Sequence, residues 1–99
     1  MKIKEIFEEL KAIKICKNGY EFSESYMGMN KSYYSVLIAT NTEPSLSTLV
    51  TIREAVKIQA SHINDSKHQV LAVTKAKLLD LGFRLEAEIE FKARQKLSS

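Results

Sequence analysis

Ninety-nine residues give one domain's worth of chain, enough for a modest core and too few for two. With 44% hydrophobic and 27% charged residues the composition is that of an ordinary soluble globular protein, and no run of about 18 apolar residues is present to span a membrane. The net charge of +3 is compatible with nucleic acid without demanding it, and the lone cysteine, Cys16, excludes an internal disulfide and fits a reducing cytoplasm.

Residues 2–15 read KIKEIFEELKAIKI. Ile3, Ile6, Phe7, Leu10 and Ile13 recur at three- and four-residue steps, which predicts an amphipathic first helix with lysine and glutamate outside, and not a signal peptide. Cys16 to Gly19 should end it, because Asn18-Gly19 is a turn signal and either residue can take positive φ. A second helix is expected from about Tyr20 to Tyr26 or Met27, with Phe22 and Tyr26 on one face. Gly28 should take the turn conformation that side chains resist. Asn30 is the expected N-cap of a third helix over about 31–39. That helix should bury Tyr34, Leu37 and Ile38 and present Lys31, Ser32, Ser35 and Val36. After the polar loop to Pro44, Ser45 or Ser47 can cap a fourth helix. Its buried stripe is Leu46, Leu49, Val50, Ile52, Ala55 and Val56, with Arg53 and Lys57 on the far side.

Asn64-Asp65-Ser66 is a further cap or turn signal. Leu71, Thr74, Leu78, Leu81 and Leu85 then fall at alternating three- and four-residue steps, flanked by Val70, Val73 and Ile89. The seam is longer than a small bundle needs, so Leu71, Leu78, Leu81 and Leu85 are expected to join two copies as a homodimer. The alternative is that Gly82 breaks the helix and folds its second half back over helix one, burying the seam within one chain. The fold class expected is all-α: a small helical bundle with a helix-turn-helix over 1–60, and a C-terminal helical dimerisation segment, one long helix or a helix pair, over 61–99.

Two runs carry a resemblance. They are Gly28-Met29-Asn30-Lys31-Ser32-Tyr33-Tyr34-Ser35 and Thr42-Glu43-Pro44-Ser45-Leu46-Ser47-Thr48-Leu49. Two short helices meeting at a glycine, followed by a capped third, resemble the Cro/repressor-type helix-turn-helix DNA-binding domains over about a third of the chain. The resemblance implies a small transcriptional regulator whose recognition helix, about 31–39, enters the major groove of double-stranded DNA. It implies base contacts from Lys31, Ser32, Ser35 and Val36, with Lys31 able to donate to guanine. It implies phosphate contacts from Asn30, Tyr33, Thr40, Asn41, Thr42 and Lys17.

The chain departs from the family pattern in two places. One extra residue separates the apolar anchor of helix two from Gly28. The loop after the recognition helix holds neither glycine nor a basic residue, so its phosphate contacts would fall to the amides and hydroxyls of Thr40, Asn41 and Thr42. From Asn18 to Val50 the only basic residue is Lys31, against Glu21, Glu24 and Glu43. The rival expectation is a helical interaction module, adaptor or antitoxin-like, that binds no DNA. The absence of arginine, glutamine and asparagine from the reading helix favours it.

No catalytic chemistry is legible. His62 and His68 are six apart and share no helical face for a metal. Phosphate-loop, nucleophile-elbow and zinc-protease motifs are missing. The expectation is a non-enzyme with no cofactor and no metal.

Overall fold

The computed structural model describes residues 1–64 and 69–98, and all regular structure among them is helical. Helix α1 (Ile3–Ala12) buries Ile3, Ile6, Phe7 and Leu10, the stripe that the spacing predicts. It ends three residues early. Lys14 stands at φ 62°, its N–H donating to Lys11 O at 3.0 Å, while the N–H of Ile15 donates to Leu10 O at 3.0 Å. This is a Schellman closure with lysine in the left-handed position usually given to glycine. Ile15 then packs against the core, which offsets the cost of the left-handed turn.

Asn18-Gly19 therefore does not end α1. Asn18 is extended, and its Oδ1 accepts the Glu21 N–H at 2.9 Å, capping α2 (Gly19–Glu21). That turn runs without interruption into a π-helical turn over Phe22–Tyr26, closed by Met27 N–H to Phe22 O at 3.1 Å. A π turn takes up one additional residue. The extra residue before Gly28 is thus absorbed inside the helix, and Phe22, Tyr26 and Met27 all stay buried. Gly28 has φ +66°, as expected.

α3 (Tyr33–Ala39) is followed by α4 (Leu46–His62), whose cap is Ser45, with Oγ accepting the Thr48 N–H at 3.2 Å. Leu49, Ile52, Val56 and Ala60 are buried, and Leu46, Val50 and Ala55 are less completely covered. Arg53 is not on the far side. Its guanidinium reaches Glu86 Oε1 at 3.1 Å, because the C-terminal helix lies alongside α4. Asp65 and Ser66 of the cap signal, and His68, lie outside the described residues.

α5 (Gln69–Ser98) is 30 residues long and passes through Gly82 without a break, although glycine costs a helix interior about 1 kcal/mol. Leu78, Leu81 and Leu85 are fully buried in one core with residues of α1, the π turn, α3 and α4. The expected intermolecular seam is therefore corrected. Three of its four leucines are covered within the chain, and only Leu71 is partly exposed, at 37%. The expected division at residue 60 is likewise not a division of the core. Arg84 clasps Glu9 of α1 with both terminal nitrogens, and Lys92 Nζ reaches Glu43 of the α3–α4 loop at 3.2 Å. With the Arg53–Glu86 pair, these ties run from α5 to three separate parts of the bundle. Among the described residues no helix is long and apolar enough to cross a membrane.

Candidate nucleic-acid interface

α3 is fastened from behind by α2 and the π turn that continues it. Ser23, in that turn, is fully buried. Its hydroxyl donates to Gly19 O at 2.8 Å and accepts the backbone N–H of Tyr34 at 2.9 Å. The first turn of a helix leaves its N–H groups without intrahelical partners, so Ser23 satisfies one of them from a neighbouring helix. The Tyr34 ring lies 4.7 Å from Phe7 and edge-on to Phe22 at 5.5 Å, centroid to centroid. Gly19 leaves room for it: a Cβ there would come within 2.8 Å of Tyr34 Cδ2. Burial first and Glu8 second raise the Tyr34 phenol above its ordinary pKa.

Leu37 completes the inward side and is buried. Tyr34 is half-buried, and Ile38 is 43% exposed where burial was expected. The helix is only seven residues long, and the row Tyr33, Tyr34 and Leu37 claims its inner face, so Ile38 is left at the edge.

α3 also starts two residues later than the spacing suggests. Asn30 Oδ1 accepts both the N–H of Ser32 at 3.1 Å and its hydroxyl at 2.8 Å, and Tyr33 N–H donates to Asn30 O at 3.1 Å. Asn30 thus forms an Asx turn ahead of the helix instead of an N-cap on it, and Lys31 and Ser32 sit in that turn. Its side-chain oxygen is committed, which leaves the NH2 group as the donor it can offer a ligand. The four residues expected at the bases are Lys31, Ser32, Ser35 and Val36. Lys31, Ser32, Ser35 and Val36 are all exposed, Val36 at 52%. Tyr33 is half-buried against the core, and Lys17 is exposed.

The loop differs from expectation in a way that narrows its chemistry. Asn41 takes φ 51° and so fills the place of the missing glycine. Thr40, Asn41 and Thr42 N–H donate to Val36 O, Ile38 O and Leu37 O at 3.0, 3.2 and 3.0 Å. All three amides are spent on closing α3, so none of them serves a phosphate. The Thr40 hydroxyl donates to Val36 O at 2.7 Å and lies 2.7 Å from that of Thr42. Thr40 spends its proton on Val36 O, so the Thr42 hydroxyl donates to Thr40, and what the loop can offer an anion is the Asn41 side chain. Glu43 is drawn toward Lys92, which reduces the acidic character read from the sequence.

Nothing in the sequence singles out Ser23, and Gly19 stands out only as half of a turn signal. Two small residues four apart on one face, opposite an aromatic, are the only trace the two leave together. Below them lies a polar pair that is inert. Cys16 is buried, and burial, with Glu21 second, pushes its thiol up to about 11. Tyr26 donates its hydroxyl to Ile15 O at 3.3 Å, and burial, with Cys16 and Glu21 behind it, pushes the phenol up to about 12. A thiol held protonated in this way is no nucleophile at neutral pH. Among the described residues no three His, Cys, Asp or Glu side chains are grouped to hold a metal.

A family model described as a family of unknown function, DUF6626, matches residues 3–98, so the chain belongs to that family. No curated protein and no solved structure matches it.

Proposed function

We propose that this protein binds double-stranded DNA through the outward face of α3, as a small cytoplasmic transcriptional regulator. The observation that carries the reading is the mounting of α3. Ser23, Tyr34 and Leu37 hold its inner side, while Lys31, Ser32, Ser35 and Val36 are left together on the outside. Three of these four side chains are short, so the turn and helix that carry them can come close to base edges. Lys31 then donates to a guanine, and Val36 meets a thymine methyl. Backbone positioning falls to Lys17, Tyr33 and the NH2 groups of Asn30 and Asn41. With one cation, Lys17, facing phosphate, the logarithm of affinity should fall with the logarithm of salt at a slope of only about −1 per chain.

The test is a titration against duplex DNA at rising salt. Lys31→Ala should relax discrimination at one base pair by about 1–3 kcal/mol, and Ser35→Glu should remove binding, both with an unchanged melting curve. Variants that match the wild type on every duplex would detach α3 from the DNA. A second reading, a protein-docking module, is favoured by the large apolar side chains exposed on α5.

A further inference from the structure

The outward side of α5 carries a row that its core side cannot explain. Leu79, Phe83 and Phe91 are 54%, 81% and 59% exposed, and they share one face with Ala87 at four-residue steps. Beside the row, between α5 and α4, runs a groove of about 500 Å³ lined by Lys57, Ala60, Gly82, Phe83, Ala87 and Glu90, among others. Its lining is mainly apolar, with Ala60, Gly82 and Ala87 as its small residues. Gly82 opens it, and packing does not require that glycine: a Cβ there would meet only Val56 Cγ1, at an ordinary 3.8 Å. Glycine weakens a helix, so the space it leaves calls for another explanation.

A protruding phenyl ring and an adjoining apolar groove on the same patch are complementary to each other. A surface of that kind is satisfied by a two-fold partner, in which each copy supplies both knob and hole. The rim agrees, because Lys57 on α4 and Glu90 on α5 give the patch both signs of charge. The size points to a weak association. From Leu79 to Phe91 the row is about 18 Å long. Covered across the width of two helices, about 20 Å, it buries about 700 Å² in total, the low end for a transient interface.

We infer that a second copy of this chain docks on this face, with Phe83 of each copy seated in the groove beside Gly82 of the other. The inference does not depend on the DNA reading. It also differs from the leucine seam, which lies on the opposite side of α5.

Sedimentation equilibrium of the full chain, from about ten to a few hundred micromolar, tests it. The wild type should move from 11.3 kDa toward twice that mass as concentration rises. Phe83→Glu removes the knob and Gly82→Leu fills the hole. Each should weaken self-association at least tenfold with the helical circular dichroism kept, Phe83→Glu leaving the melting curve in place and Gly82→Leu raising it, since leucine favours the helix that glycine weakens. Lys57→Glu should weaken it several-fold, and adding Glu90→Lys should restore it. A wild type that keeps the monomer mass throughout overturns the proposal and assigns the face to a different protein. Folded Phe83→Glu or Gly82→Leu chains that associate as the wild type does overturn it too.

Discussion

Ser23 shows how one buried hydroxyl can fix the position of a neighbouring helix. Its oxygen accepts the Tyr34 amide, so Ser23→Ala strands that donor in a half-buried site. A loss of about 1–3 kcal/mol is expected, read as a lower melting temperature. A melting curve equal to wild type would mean that water replaces the hydroxyl without cost. The Cys16–Tyr26 pair gives a second test at this scale. Both groups titrate higher in the fold, at about 11 and about 12, than in the unfolded chain, where the ordinary values are 9.0 and 10.0. Their contribution is therefore whole below pH 9 and is lost as pH rises through 12. Each accounts for about 2–3 kcal/mol. Unfolding followed by circular dichroism should show stability falling from pH 9 upward, and Cys16→Ala should flatten the part between 9 and 11. A flat profile through pH 12 would show that neither group is buried as described. Little of this is legible in the sequence. Ser23, Ser25 and Ser32 look alike until the chain is folded, and lysine is disfavoured in the left-handed position that Lys14 fills.

At the scale of elements, periodicity serves well wherever one face of a helix is apolar. α1 and α4 follow their stripes nearly residue for residue. It fails where a helix is apolar on two sides. The steps from Leu71 to Leu85 fit a seam between chains and a seam within one chain equally. Only the placement of α5 along α4 decides, and it turns Leu78, Leu81 and Leu85 inward. Leu78→Glu should therefore abolish cooperative melting, because it buries a carboxylate in the core with no partner. Phe83→Glu, further along the same helix and facing outward, should not. Equal melting curves for the two would mean that α5 is rotated from its described position. The π turn is another feature the sequence conceals. An extra residue before Gly28 predicts an irregularity, but whether it bulges the helix or lengthens the turn depends on keeping both Phe22 and Tyr26 in the core.

For the whole molecule, α5 is what makes the short helices before it into a stable bundle. It supplies three core leucines and ties α1, α4 and the loop at Glu43 through Arg84, Glu86 and Lys92. Exposed ion pairs of this kind add little energy singly, so the leucines carry the stability and the charges set the register. The side of α5 away from the core is the one proposed to receive a second copy. The outward face proposed to read DNA stays exposed, with Lys31, in the turn ahead of α3, as its only cation. One such helix discriminates weakly, and two held in a fixed relation read two half-sites. The most direct measurement is selection of bound fragments from a random duplex pool at low salt. The expected result is a recurrent short sequence containing a guanine that Lys31→Ala no longer selects. With the dimer formed, that sequence should recur as an inverted repeat at a fixed spacing. A pool that emerges as random as it entered, from a folded protein at low salt, would contradict DNA reading by α3.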